Sequence, residues 1–104
     1  MDHSITLHAL QARIGEVCIV DARRRTARDT SPEHLPGATW HDPEKLAEWA
    51  PALPRDCQIV VYCVHGHEVS QATAAGLREF GLDALYLEGG IEGWKAAGFA
   101  TLDD

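Results

Sequence analysis

The chemistry-bearing residues of this chain concentrate in one short stretch, Cys63-Val64-His65-Gly66-His67-Glu68-Val69-Ser70. A cysteine attacks as its thiolate, and a helix N-terminus or a nearby cation favours that form. The stretch follows an apolar, β-branched run and precedes an alanine-rich segment of helical spacing, so Cys63 is expected at a strand end just before a helix. There the amides of the loop can turn inward and, with the helix dipole, hold a negative sulfur. Gly66 suits a tight loop because it tolerates positive φ. His65 and His67 add positive charge when protonated and donate a hydrogen bond when neutral, unless both simply face solvent. Glu68 works the other way, since a carboxylate repels an anionic substrate and disfavours a thiolate. A soft-metal site on Cys63, His65 and His67 lacks a fourth ligand, and three residues of one loop seldom face one ion, so no metal is expected.

Cys18 and Cys57 are the remaining thiols. An odd count without a Cys-x-x-Cys pair fits neither a disulfide framework nor a four-cysteine zinc site, which points to a reduced protein. Cys18 lies inside an apolar strand and reads as a small core residue, whereas Cys57 follows Pro54-Arg55-Asp56 in a turn and reads as a surface or half-buried thiol. The alternative for Cys63 is likewise a core residue at a strand end.

The elements that must position Cys63 alternate between strand and helix. Leu7 to Ile14 has helical apolar spacing and Gly15 ends it. Val17-Cys18-Ile19-Val20 is a buried strand closed by Asp21. The stretch from Arg23 to Pro36 is polar and irregular, with a helix start expected at Ser31-Pro32-Glu33. Ala38-Thr39-Trp40 suggests a brief strand, and Asp42-Pro43-Glu44 opens a helix through Trp49. Gln58 to Tyr62 is the most strand-like run. A helix over Val69 to Phe80, a strand at Leu85-Tyr86-Leu87, a Gly89-Gly90 turn and a helix over Ile91 to Ala97 complete the chain. Strands joined through helices imply a mainly parallel sheet covered on both faces, with the reactive site beyond the carboxyl ends of its strands.

At 104 residues the chain is expected to form one domain, residues 1–104. A net charge of −7 argues against nucleic acid or an anionic membrane as partner. The one basic cluster, Arg23-Arg24-Arg25 with Arg28, is either a solvated loop or a local field that draws a small anion. The longest apolar run, Ile59 to Val64, is too short for a bilayer, and Met1-Asp2-His3-Ser4 lacks the features of a secretory signal, so a cytoplasmic location is expected.

Four stretches, in order, resemble the rhodanese-like domain family: Val20-Asp21-Ala22-Arg23, Glu33-His34-Leu35-Pro36-Gly37-Ala38, Val61-Tyr62-Cys63 followed by Gly66, and Leu87-Glu88-Gly89-Gly90 running on to Trp94 and Gly98. The resemblance implies an α/β fold with about five mainly parallel strands and helices on both faces. It implies that Cys63 takes a sulfane sulfur from thiosulfate or a persulfide and passes it to cyanide, a thiol or a partner protein, without metal or organic cofactor. It also implies that Val64, His65, Gly66, His67, Glu68 and Val69 form the substrate-binding loop. Asp21 is then structural near the site, and Arg23 pairs with it or with an anion.

The loop departs from the family pattern. That pattern has Arg five residues after the cysteine and then Ser; here Glu68 and Val69 come first and Ser70 follows. A longer loop resembles the related cell-cycle phosphatases and arsenate reductases, but their Arg position falls on Val69, which offers no cation to an oxyanion. The competing readings are therefore a sulfurtransferase, whose donor is better neutral or cationic given Glu68, and a non-catalytic module that binds a partner or senses a thiol-reactive species.

Overall fold

A computed structural model describes residues 3–103, so Met1, Asp2 and Asp104 of the expected 1–104 unit lie outside the described residues. Five parallel strands run in the order β1-β5-β4-β2-β3: β1 (Ser4–Ile5), β2 (Cys18–Asp21), β3 (Thr39–Trp40), β4 (Ile59–Tyr62) and β5 (Ala84–Leu87). The helices are α1 (Leu7–Gln11), α2 (Arg25–Thr30), α3 (Leu46–Trp49), α4 (Glu68–Glu79) and α5 (Gly90–Ala96). Pro43–Lys45 and Ala50–Ala52 form single 3-10 turns.

The central strand explains the two layers. Side chains alternate across a strand. Ile59 and Val61 of β4 pack with Ala74 and Leu77 of α4, while Val60 and Tyr62 pack with Leu10 of α1 and with Ile91 and Trp94 of α5. Both faces of β4 are thus covered, which is why its sequence is a continuous apolar run rather than an alternating one. The register pairs Asp21 with Tyr62 and Cys18 with Ile59, so β2 and β4 end level. Ala22 and Cys63 accordingly leave the sheet side by side at its carboxyl edge, with Arg23 next along the chain.

Most of the expected elements are present, with ends shifted by a few residues. β1 was not legible, because two residues carry no periodicity; it exists through the Tyr86 amide donating to the His3 carbonyl and the Glu88 amide to the Ile5 carbonyl. The segment from Arg23 to Pro36 needs a correction. No helix starts at Ser31; α2 occupies Arg25–Thr30 and Ser31 ends it. The Ser31 and Glu33 carbonyls instead accept hydrogen bonds from the Arg23 guanidinium at 2.9 Å each, which holds this stretch out of helical geometry. Cys18 is half-buried at the start of β2 rather than a core residue, and Cys57 is also half-buried. Burial, and then the neighbouring Cys57, push the Cys18 thiol up from its ordinary range.

The polar anchor of the carboxyl edge is the Asp21–Arg23 pair, each side chain 1% exposed. The Arg23 Nε and Nη2 donate to the Asp21 carboxylate, the latter at 2.7 Å, and the Arg23 amide donates to Asp21 Oδ1. Burial alone would lower the guanidinium pKa, but the Asp21 hydrogen bonds and charge leave it above its ordinary value. Removing one partner of such a pair strands the other in a dry environment. Asp21→Ala should therefore cost about 3–5 kcal/mol in equilibrium urea unfolding, and Asp21→Leu combined with Arg23→Met clearly less.

Candidate active site

Cys63 follows β4 directly and the loop 64–67 leads into α4. The loop is fixed from behind by α5. The amides of Ile91 and Glu92, in the first turn of α5, donate to the carbonyls of Cys63 and Val64 at 2.9 and 3.0 Å. No described peptide bond is cis, and a trans peptide points its N–H opposite its carbonyl. The amides of Val64 and His65 therefore face away from α5.

Two glycines permit this close docking. Gly66 has φ +76, and a methyl group there would lie 2.7 Å from both the Gly89 nitrogen and the Leu87 carbonyl oxygen. Gly90 has φ +60, and a methyl group there would lie 2.5 Å from the carbonyl oxygens of Cys63 and Val64. The Gly66 carbonyl also accepts from the Gln71 side chain at 3.1 Å, which ties the loop to α4.

The Cys63 side chain is 6% exposed, and it lines a cavity of about 530 Å³. Its Sγ lies 3.2 Å from the Ser70 hydroxyl, which is fully buried. In the thiol form the S–H donates to Ser70 Oγ; in the thiolate form the Ser70 O–H turns and donates to sulfur. The first helical bond of α4 runs from the Gln71 amide to the His67 carbonyl. The amides of Glu68, Val69 and Ser70 lie ahead of it, in the turn where a helix has no internal acceptors. The one first-turn group of α4 in hydrogen-bond contact with the sulfur among the described residues is the Ser70 hydroxyl.

Val64, His65, His67, Glu68 and Val69 line the same cavity as Cys63, which brings most of the expected loop residues together. Gly66 does not line it; it is buried behind the loop. His65 and His67 are exposed, with ring centroids 6.3 Å apart. Among the described residues no three His, Cys, Asp or Glu side chains converge as a metal-ligand set. Of the two roles open to Arg23, the structure shows the pairing with Asp21; Arg23 borders the cavity but its guanidinium faces Asp21, Ser31 and Glu33. Asp21 stands behind it, outside the cavity lining.

Arg24, one of the basic cluster singled out in the sequence, lines the cavity together with Thr26 and Ala27, two residues to which the sequence gave no role. Those residues belong to the segment read as irregular, and only the α2 fold-back brings them over Cys63. The sequence also gave no role to Ser70. The signal was present: Ser70 is the first hydroxyl after the cysteine and falls in the first turn of the following helix, the position from which a side chain can reach back. Trp40 and Trp49 are structural, their indole N–H groups donating to the carbonyls of Arg23 and Asp42 at 2.8 Å.

The glycine geometry predicts a contrast. Gly66→Ala faces backbone at 2.7 Å as well as an unfavourable φ, whereas Gly37→Ala meets the φ penalty (φ +81) in open space. Gly37→Ala should cost about 1–2 kcal/mol in thermal or urea unfolding, and Gly66→Ala more than that, with a slower reaction of Cys63 towards iodoacetamide.

The sequence pattern of the rhodanese-like domain matches residues 6–97. A thiosulfate sulfurtransferase GlpE of Coxiella burnetii is 34% identical over 82 residues, covering 78% of this chain and 74% of its own. The protein of the same name from Pseudomonas fluorescens is 33% identical over 89 residues, covering 85% of this chain and 79% of its own. Among solved structures, a rhodanese-related protein from Thermoplasma volcanium superposes with a TM-score of 0.85 at 26% identity, covering 95% of this chain and 96% of its own.

Proposed function

Starting from the fact that this chain belongs to the rhodanese-like domain family, we propose that it is a sulfurtransferase that carries sulfane sulfur on Cys63. The observation that carries the reading is the position of Cys63 Sγ: at the wall of an open cavity, 3.2 Å from a buried hydroxyl and against the first turn of α4. A core cysteine at a strand end would need neither the cavity nor the hydroxyl.

The chemistry follows in two displacements. The Cys63 thiolate attacks the sulfane sulfur of a donor; the new S–S bond forms as the donor's own bond to that sulfur breaks, releasing sulfite from thiosulfate or a thiolate from a persulfide. An acceptor thiolate or cyanide then attacks the outer sulfur and returns Cys63 as thiolate. Ser70 and the amides of the α4 first turn stabilise the negative sulfur before attack and after release. In this reading the amides of Val64 and His65, which face away from α5, receive the charge on the outer sulfur. Arg23 holds the wall in place through Asp21 and does not itself bind the donor. A free thiol at this position suits a reducing, cytoplasmic setting. The acceptor is a small thiol, cyanide or a partner protein's thiol.

The relatives named thiosulfate sulfurtransferase support this class of reaction. A phosphatase or arsenate reductase reading finds no support in the loop, which presents Val69 where those enzymes carry the arginine, and the Arg23 guanidinium is buried against Asp21.

Two measurements test the proposal. Intact mass after incubation with thiosulfate, and separately with a persulfide, should rise by one sulfur; Cys63→Ser should lose this gain, while Cys18→Ser and Cys57→Ser keep it. No gain from any donor would point instead to a non-catalytic binding or sensing module. Ser70→Ala should slow the loading of Cys63 about fivefold, the effect of one lost hydrogen bond of about 1 kcal/mol. An unchanged rate in a folded Ser70→Ala protein would remove Ser70 from the mechanism.

A further inference from the structure

At the end of the sheet opposite Cys63 the other two cysteines meet. Cys18 opens β2, and Cys57 and Gln58 lead into β4. Cys18 pairs with Ile59 in register, and its amide donates to the Gln58 carbonyl at 2.9 Å, so the backbone next to Cys57 is bonded directly to Cys18. The two thiols are close enough to hydrogen-bond with each other. Gln58 fixes this corner from two further segments. Its side chain accepts from Arg13 Nη1 at 2.6 Å and donates to Asp83 Oδ2 at 3.2 Å, and the Asp83 carbonyl accepts from the Ile59 amide at 2.8 Å. Both thiols are half-buried rather than sealed in the core, so a small oxidant can reach them. The chemistry at Cys63 uses neither, since Cys57 and Cys63 stand at opposite ends of β4, about 20 Å apart at the rise of a strand. Among the described residues no third His, Cys, Asp or Glu joins the two sulfurs as a metal-ligand set. Oxidation to a disulfide is a chemistry that two sulfurs complete by themselves.

We propose that Cys18 and Cys57 form a reversible intrachain disulfide under oxidation, a thiol switch separate from the Cys63 centre. With a hydroperoxide as oxidant, one thiolate attacks the peroxide oxygen, the O–O bond breaks, and a sulfenic acid forms as water or an alcohol leaves. The second thiolate then attacks that sulfur, the S–S bond forms, and the S–O bond breaks to release water. Two thiols thus lose two electrons and two protons, and the hydroperoxide takes up both. The new bond closes a loop from Cys18 to Cys57 that contains α2, β3 and α3, with the Asp21–Arg23 anchor and the cavity wall of Arg24, Thr26 and Ala27. Closing so long a loop removes freedom from the unfolded chain, so the oxidised form resists unfolding better than the reduced one. In a reducing compartment such a pair is a transient, redox-sensing device rather than a permanent staple.

The test uses the full chain carrying Cys63→Ser, in which Cys18 and Cys57 are the only thiols. After hydrogen peroxide treatment and N-ethylmaleimide quenching, its intact mass should fall by two hydrogens with no maleimide taken up. Tryptic digestion should yield the peptide Ile14 to Arg23 joined to the one that begins at Asp56, and dithiothreitol should restore both thiols. The melting temperature of the oxidised form should exceed that of the reduced form by about 5 °C or more. The wild-type chain should give the same joined peptides with Cys63 outside the bond. Separate sulfinic acids on Cys18 and Cys57, disulfides only between two chains, or an oxidised form that melts below the reduced one would each overturn the inference, and none of these results bears on Cys63 as sulfur carrier.

Discussion

Two backbone hydrogen bonds fix the reactive end of this molecule. The first-turn amides of α5 hold the carbonyls of Cys63 and Val64, and the loop can come that close only because Gly66 and Gly90 have no side chains where their backbones meet. A carbonyl held on one side sends the adjoining N–H to the other. The docking of one helix end therefore decides what a second helix end and its loop present to the sulfur. The α5 terminus supplies no chemistry of its own; it supplies orientation, and it leaves the α4 terminus free to face Cys63. Had those carbonyls turned toward the cavity, a negative sulfur would meet oxygen lone pairs rather than donors.

The second constraint is the level ending of β2 and β4. Because Asp21 pairs with Tyr62 in register, the chain emerging from β2 passes beside Cys63. The Asp21–Arg23 pair then pins that chain, with the guanidinium reaching on to the Ser31 and Glu33 carbonyls and lying 5.8 Å from the Tyr62 ring centroid. Burial raises the Tyr62 phenol well above its usual range, and its oxygen accepts from the Leu35 amide, so this residue too is a neutral strut beneath the site. The buried ions organise the second wall of the cavity rather than entering it. Arg24 and Glu68, which also line the cavity, are exposed instead, so water screens their charges.

The division of labour accounts for the departures of the loop from the family pattern. Glu68 stands where the pattern has arginine, and Val69 separates it from the hydroxyl. Yet Ser70 still reaches the sulfur at 3.2 Å from the first turn of α4. In the proposed mechanism the negative sulfur is held by main-chain amides and one hydroxyl, which a changed side chain at the rim does not remove.

The sequence by itself determined β2, β4 and β5 and the place of Cys63 at a strand end, because β4 is an unbroken β-branched run and a helix-spaced segment follows one loop later. It also determined a terminal helix after the Gly89-Gly90 turn, expected over Ile91 to Ala97 and found over Gly90–Ala96. Those features are local, and periodicity and turn chemistry report them directly. Only the tertiary structure decided that Arg23 serves Asp21 rather than a substrate, that α2 folds over the thiol, that Ser70 touches it, and that Arg24 and Glu68 share one rim. Each of these joins residues from separate elements through register and crossover, and no pattern along the chain encodes a distance between segments that meet only after folding.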